Sequence, residues 1–289
     1  MKNRPPISSR RSNTGIDNSV VKVLPLLVWL FFLCGCGSNS QNTLVIAGST
    51  SVQPVIEKIA GMYKKQKPET KILVEGGGSS AGISAVTMGT AQIGMSSREL
   101  KKDDPKESSL ESIVIAYDAI AIIVNPKNQL EDFSIETLRK IFSGEIKNWK
   151  DLGGDDKNIN LIIREEGSGT RTAFEDMVMK ISKTEEIKID PFALVQDSTG
   201  GVQEVVRCDP AAIGFISMGA AKPIVKIVSI AGIKPDIESV KTKKYKLVRP
   251  FLFLRKGDFR KDASEFVDYV YSPDGQAVMA KEGLVGTAK

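Results

Sequence analysis

Three short segments combine glycine with serine or threonine, residue types that suit the binding of an oxyanion. They are Thr50-Ser51, Ser79-Ser80 and Ser168-Gly169-Thr170. Each follows a predicted strand and opens a predicted helix, where unpaired backbone N–H groups carry partial positive charge. Glycine lets the backbone close on a ligand, and the hydroxyls add donors. Because serine and threonine are also favoured N-caps, plain helix capping is the alternative for each segment.

An arginine adds charge to the third segment. Arg164 ends an apolar predicted strand just before it. A guanidinium forks two N–H bonds onto a tetrahedral oxyanion, which makes Arg164 a candidate ligand of the anion. The alternative is a surface ion pair with Glu165 or Glu166.

Two further residues are possible additions to the site. Ser96-Ser97-Arg98 ends another predicted strand with hydroxyls and an arginine, and Asp118 lies in the apolar stretch Ala116–Val124. The Asp118 carboxylate would accept a hydrogen bond from a protonated ligand or pair with Arg98. We favour the pair with Arg98.

Composition excludes several classes of catalytic site. The chain has 289 residues, three cysteines and no histidine. Catalytic triads with histidine and histidine-ligated zinc are therefore excluded, and zinc held by cysteine alone needs four thiolates. No phosphate-binding loop of the G-x-x-x-x-G-K-[ST] type and no G-x-G-x-x-G fingerprint occurs. We expect no enzymatic activity, no metal and no cofactor.

The N-terminal segment is typical of an export signal. A basic start precedes the apolar run Val23–Leu33, which is too short to span a bilayer. Leu33-Cys34-Gly35-Cys36 then resembles a bacterial lipoprotein signal. This predicts a signal peptide over residues 1–35, lipid attachment at Cys36 and a polar tether over residues 36–42. The alternative is an uncleaved membrane anchor, and both interpretations place the rest of the chain outside the cytoplasm.

Removal of the signal peptide changes the charge. The whole chain is formally +5, but residues 1–35 carry +4 of it, so the remainder carries only +1. No electrostatic footprint for a nucleic acid remains. Cys208 has no cysteine for a disulfide framework, and we expect it to be buried as a small apolar residue.

After residue 42, apolar periodicity alternates between strands and helices, which predicts an α/β fold with mainly parallel sheets. The predicted strands are 43–47, 71–75, 92–95, 113–124 (one strand or two with a crossing between), 159–163, 192–195, 212–216, 224–228 and 245–254. The predicted helices include 52–63, 83–88, 135–142, one with Phe174, Met177, Val178 and Ile181 on a single face, 201–206, 263–270 and 274–281.

Taken together, these motifs resemble the phosphate-binding proteins of ABC-type phosphate uptake systems. The resemblance covers residues 43–289 in order, and the motifs that carry it are Ala47-Gly48-Ser49-Thr50-Ser51, Gly76-Gly77-Gly78-Ser79-Ser80-Ala81-Gly82, Gly94-Met95-Ser96-Ser97-Arg98, Asp118-Ala119-Ile120-Ala121, Arg164-Glu165-Glu166-Gly167-Ser168-Gly169-Thr170 and Ala211-Ala212-Ile213-Gly214-Phe215. It implies a two-lobed, type II solute-binding fold with two crossover strands. One lobe would be residues 43–117 plus 248–289, and the other residues 118–247.

The resemblance also implies a set of ligand contacts. The phosphate-binding residues would be Thr50, Ser51, Ser79, Ser97, Arg164, Ser168, Gly169 and Thr170. Some members have aspartate where Ser97 stands, and that carboxylate accepts the proton of phosphate and repels sulfate. In this chain Asp118 is the candidate for that role.

The expected function follows from the resemblance. We expect a lipid-anchored, monomeric receptor at the extracytoplasmic face that binds inorganic phosphate and delivers it to the permease subunits of an ABC transporter. The alternatives are a receptor for another tetrahedral oxyanion such as sulfate, an extracytoplasmic phosphatase, or a sensor on the same fold.

Overall fold

A computed structural model of the protein describes residues 43–182 and 184–288. The predicted signal peptide, the tether and Cys36 lie outside the described residues. Within those residues, every helix is too short or too polar to cross a membrane.

The described chain alternates strands and helices, as the apolar periodicity predicts. The strands are β1 Thr43–Gly48, β2 Lys71–Glu75, β3 Ile93–Ser96, β4 Glu111–Val124, β5 Asp132–Phe133, β6 Asn160–Arg164, β7 Leu194–Gln196, β8 Ala212–Ser217, β9 Lys226–Ile227, β10 Ser229–Ile230, β11 Val248–Arg255 and β12 Val285–Gly286. The α-helices are α1 Gln53–Gln66, α2 Ser79–Met88, α3 Ile135–Phe142, α4 Gly169–Phe174, α5 Thr199–Cys208, α6 Ile237–Lys241, α7 Lys261–Tyr271 and α8 Pro273–Lys281. Short 3₁₀ turns lie at Trp149–Leu152 and Met218–Ala220, and a π-helical turn at Glu175–Met179.

The strands form two groups of parallel pairs joined by antiparallel ones. The order across the sheet is β2-β1-β3-β11-β4-β8-β6-β7. β1 pairs in parallel with β2 and β3, and β6 does so with β7 and β8. Every antiparallel pair between the described strands involves β4 or β11. The parallel groups therefore lie at the two ends, and β4 and β11 connect them.

The chain passes between the two groups at one place in the sheet. β4 pairs with β11 as far as Ala119, and from Ile120 onward it pairs with β8. Ile120 N donates a hydrogen bond to Leu247 O at 2.8 Å, immediately before Val248 begins β11. The two crossings thus lie side by side. The lobe boundaries predicted from the sequence, at 117/118 and 247/248, remain a prediction.

Each group of strands packs against its own apolar core. The buried members of the largest cluster come from residues 119–247, and they include Phe174 and Phe215, whose rings stack at 4.0 Å. The buried members of the second cluster come from residues 44–116 and 251–284. Because side chains of the two clusters are drawn from different segments, the two lobes have separate cores.

The predicted bounds of two elements and one prediction of burial are wrong. The helix that starts with α4 ends at Met179, so Ile181 lies beyond it and is 48% exposed. Phe192 precedes β7, which begins two residues later than the predicted strand, and it is 95% exposed. Cys208 is exposed at the last position of α5, whose buried face carries Val202 and Val206.

Candidate functional site

The predicted binding segments all follow the carboxyl ends of parallel strands. The first two segments follow β1 and β2, Ser97 follows β3, and Arg164 is the last residue of β6. Ligands of open α/β sheets bind at these ends because the loops and helix N-termini converge there. The structure brings the loops of both groups of strands together.

In the lobe that contains β1, three buried serines meet. Ser49 Oγ donates to Ser97 Oγ at 3.0 Å, and the backbone N of Ser97 donates to Ser79 Oγ at 3.1 Å. The hydroxyls of Ser79 and Ser97 lie 3.5 Å apart. All three residues are at most 2% exposed. The loops after β1, β2 and β3 therefore form one cluster of hydroxyls.

Hydroxyls of the two lobes also contact each other. Ser51 Oγ lies 2.8 Å from Thr170 Oγ1 and 3.1 Å from Thr199 Oγ1, and Thr50 Oγ1 lies 3.4 Å from Thr199 Oγ1. These pairs join residues more than a hundred positions apart in the sequence. The lobes are therefore closed on each other at this point. We call the hydroxyls of Ser49, Thr50, Ser51, Ser79, Ser97, Thr170 and Thr199 the hydroxyl cluster.

Arg164 supplies positive charge at the hydroxyl cluster. Its side chain is 2% exposed, and Nη1 donates to Thr199 Oγ1 at 3.2 Å. Nε and Nη2 each donate to a different carboxylate oxygen of Glu165 at 2.8 Å. The sequence left Glu165 and Glu166 open as ion-pair partners of Arg164. The partner is Glu165, and Glu166 is exposed. The guanidinium serves the ion pair and the hydroxyl cluster with different N–H groups.

Close approach of the loops depends on Gly169. A Cβ placed on this residue would lie 2.2 Å from Ser79 Oγ and 2.7 Å from Ser97 Oγ, well inside van der Waals contact. Only a residue without a side chain lets the start of α4 lie against the serines of the other lobe.

Helix capping explains one of the three predicted segments. Ser168 Oγ accepts hydrogen bonds from the backbone N of Thr170 and of Arg171, so it is the N-cap of α4. Neither α1 nor α2 has a side-chain cap. The hydroxyls of Thr50, Ser51 and Ser79 instead contact hydroxyl or backbone N–H groups of other loops.

The predicted pair between Asp118 and Arg98 is wrong. Arg98 forms a two-pronged ion pair with Glu107, at 2.8 Å from Nη1 and 2.7 Å from Nη2. Burial acts to raise the pKa of Glu107, but hydrogen bonds from Arg98 and Lys101 outweigh it and hold that pKa below its usual value. Arg98 is thus engaged with the 99–107 loop, not with Asp118.

Asp118 pairs with Arg249 instead. Both are at most 1% exposed, and Arg249 donates to Asp118 Oδ2 from Nε at 3.1 Å and from Nη2 at 3.0 Å. Asp118 Oδ1 accepts from Ser217 Oγ at 2.9 Å and from Gly219 N at 3.3 Å. Burial raises the pKa of Asp118, opposed by the Arg249 charge and by the Ser217 hydrogen bond. A ligand proton at Asp118 would have to compete with these donors.

The structure adds three residues that the sequence analysis missed. Ser49 and Thr199 belong to the hydroxyl cluster, and Arg249 Nη1 lies 3.5 Å from Ser97 O. A signal for Thr199 was present, because Ser198-Thr199-Gly200-Gly201 also follows a strand and opens a helix. Arg249 had no such signal, since it lies inside an apolar strand.

The two lobes, with a polar cluster where they meet, define a solute-binding protein of the PBP superfamily, whose domain model matches residues 37–274. The PstS proteins of Borreliella burgdorferi and Bacillus subtilis, both named phosphate-binding proteins, are 32% and 31% identical to this chain. The alignments cover 92% and 93% of the chain and 98% and 94% of those proteins. The chain belongs to the PstS family.

Solved structures agree with this assignment. A Clostridium perfringens substrate-binding protein of a phosphate ABC transporter, with bound phosphate, has a TM-score of 0.80 and 38% identity, covering 85% of this chain and all of that one. A Vibrio cholerae ABC-type phosphate transport receptor has a TM-score of 0.68 and 34% identity, covering 84% and 100%. The resemblance inferred from the sequence and the two-lobed α/β fold class are both confirmed.

Proposed function

We propose that this protein binds inorganic phosphate outside the cytoplasm and passes it to the permease of an ABC transporter. The observation that carries the proposal is the hydroxyl cluster with the buried Arg164 beside it, where the two lobes meet. Relatives of more than 30% identity over nearly their whole length are named phosphate-binding proteins, and a related structure holds phosphate. Another oxyanion as the ligand is not favoured by these relatives.

The residue types suit phosphate recognition. Hydroxyls both donate and accept, so they can serve the bare and the protonated oxygens of a phosphate, while a guanidinium binds two oxygens at once. We propose as its contacts the residues predicted from the sequence, namely Thr50, Ser51, Ser79, Ser97, Arg164, Ser168, Gly169 and Thr170, and we add Thr199. Because both lobes contribute donors, the bound anion would stabilise the closed arrangement of the lobes.

We also propose that the protein is a receptor and not an enzyme. Its relatives are named for binding and transport, and the chain has no histidine to serve as a general base. Among the described residues, the serine hydroxyls that contact one another have no hydrogen bond to a carboxylate or lysine that could activate a nucleophile. Release of phosphate from a phosphomonoester by the purified protein would contradict this.

Calorimetric titration tests the ligand. The full-length protein, purified in detergent and stripped of bound anion, is titrated with phosphate and then with sulfate at the same pH. We expect tight binding of phosphate and no measurable heat with sulfate. Equal binding of both anions, or of neither, would contradict phosphate as the ligand.

Membrane attachment is proposed through lipid on Cys36, so that the receptor stays near its permease. We expect Cys36→Ser to move the protein from the membrane fraction to the soluble fraction, because a thiol is required for lipid attachment. Fractionation followed by immunoblotting measures this, with Cys34→Ser as the control that should stay at the membrane. Persistent lipidation of the Cys36→Ser protein would exclude Cys36 as the attachment site.

A further inference from the structure

The segment that follows α8 lies where the two lobes join. Its short strand β12 pairs with residues 116–117 of β4. Because β11 already pairs with β4 at these two residues, β12 must lie on the other edge of β4, the edge that β8 takes from Ile120 onward. β12 and the end of β8 are therefore neighbours along one edge of the crossing strand. We call residues 283–287 the C-terminal strap.

Two consecutive side chains of the strap pack into different cores. Leu284 is 2% exposed and belongs to the core of the lobe that contains β1, whereas Val285 packs against the core whose buried members come from residues 119–247. β12 also lies against α8 of the first lobe and α6 of the second. Thr287 Oγ1 donates to Val114 O at 2.7 Å, which fixes the strap to β4 beyond β12. The strap therefore joins the lobes in addition to the two strands that cross between them.

The strap fits closely against a turn of the second lobe. A Cβ placed on Gly219, in the 3₁₀ turn after β8, would lie 2.7 Å from Leu284 Cδ2 and 3.0 Å from Glu282 O. The backbone N of Gly219 donates to Asp118 Oδ1 at 3.3 Å, which holds the turn to β4. Lys58 of α1 forms an ion pair with Glu282, so the residue before the strap is held to the first lobe. A rotation of the lobes about β4 and β11 therefore changes the contact between Gly219 and Leu284.

We propose that the C-terminal strap stabilises the closed arrangement of the lobes and thereby sets how long a bound anion is held. This deepens the proposed function, and its effect on phosphate binding rests on that function. Opening moves the turn at Gly219 away from the strap and exposes apolar surface of Leu284, which costs free energy. The apparent affinity of a ligand scales with the population of the arrangement that binds it. The strap therefore raises the affinity for phosphate, although none of its residues belongs to the hydroxyl cluster.

The test compares Leu284→Ala with Val267→Ala in the full-length protein, with inorganic phosphate as the probe. Both side chains are buried in the same core, at 2% and 3% exposed, but Val267 lies on α7 and not in the strap. We expect Leu284→Ala to weaken phosphate binding about tenfold, mostly through faster dissociation. Val267→Ala should lower the melting temperature and leave the affinity unchanged, because it removes core contacts without touching the strap.

A second variant acts on the same contact from the other lobe. Gly219→Ala places a methyl group against Leu284, and we expect it to weaken phosphate binding as well. Because Leu284→Ala makes room for that methyl group, the affinity loss of the double variant should be smaller than the product of the two single losses. Single losses that multiply would show that the two residues act separately, and they would contradict the strap.

The outcomes separate this inference from the proposed function. Failure of the unmodified protein to bind phosphate would overturn the function itself. If it binds phosphate but Leu284→Ala binds it equally tightly, or if Val267→Ala weakens binding to the same degree, the role of the strap is wrong. Hydrogen exchange of residues 217–221 in the phosphate-free protein tests the strap without a ligand. Exchange there should be faster in Leu284→Ala than in Val267→Ala, and equal rates would contradict the proposal.

Discussion

We expect Arg164→Ala to weaken phosphate binding by at least ~2 kcal/mol, which is about a 30-fold loss of affinity. The arginine is buried at the meeting point of the lobes, where its charge is little screened by solvent. Among the described side-chain hydrogen bonds, Arg164 is the only cation that contacts the hydroxyl cluster, and the substitution removes it. The Glu165 carboxylate then faces the anion without the positive charge that now neutralises it. Titration calorimetry with phosphate measures the loss.

Two further variants make this result specific. Arg207→Ala removes an exposed arginine of the same lobe, which forms an ion pair with Glu204 on α5, and should bind phosphate as the unmodified protein does. Arg164→Lys keeps the charge but loses the planar fork, so an intermediate affinity is expected. If Arg164→Ala bound phosphate with near-normal affinity and an unchanged circular dichroism spectrum, the assignment of Arg164 as a phosphate contact would be wrong.

The second large effect concerns folding stability. We expect Asp118→Asn to lower the free energy of unfolding by ~3–5 kcal/mol, because it leaves the Arg249 charge buried without its counter-charge. Asp118 and Arg249 are opposite each other in the register of β4 and β11, beside the place where β4 changes its partner. Denaturant unfolding followed by circular dichroism measures the change.

The same two strands provide a matched control. Glu111 and Arg255 are also opposite each other on β4 and β11 and also form an ion pair, but Glu111 is 60% exposed. Glu111→Gln should change stability by less than ~1 kcal/mol, as is usual for exposed pairs. If both substitutions lowered the free energy of unfolding equally, burial of the Asp118–Arg249 pair would not be the reason for its large effect.

The elements that a local pattern specifies were predicted well from the sequence. β2 and α3 have the predicted bounds, because an apolar run or an amphipathic period ends there at turn residues or a cap. The loops that meet between the lobes were predicted to lie together for a similar reason. Glycine and hydroxyl residues between a strand and a helix form a local signal, and the carboxyl ends of parallel strands meet in space.

Contacts between residues that lie far apart in the sequence were predicted poorly. The partner of Asp118 is 131 residues away, and its choice is fixed by the register of two strands that no local pattern reveals. The sequence predicts a pair between Arg98 and Asp118, whereas Arg98 pairs with Glu107, only nine residues away, at the end of the loop that follows it. Small strands such as β5 and β10 have too few residues for a period to be visible.

The position of β11 in the sheet has a consequence for synthesis. β11 lies between β3 and β4, yet it is made of residues 248–255, close to the end of the chain. While the chain is still growing, β3 and the first half of β4 each present an edge whose backbone groups have no neighbour. A product terminated before Val248 keeps those edges open, which favours aggregation or degradation over assembly of a separate N-terminal domain. This receptor therefore cannot fold strictly in the order in which it is translated.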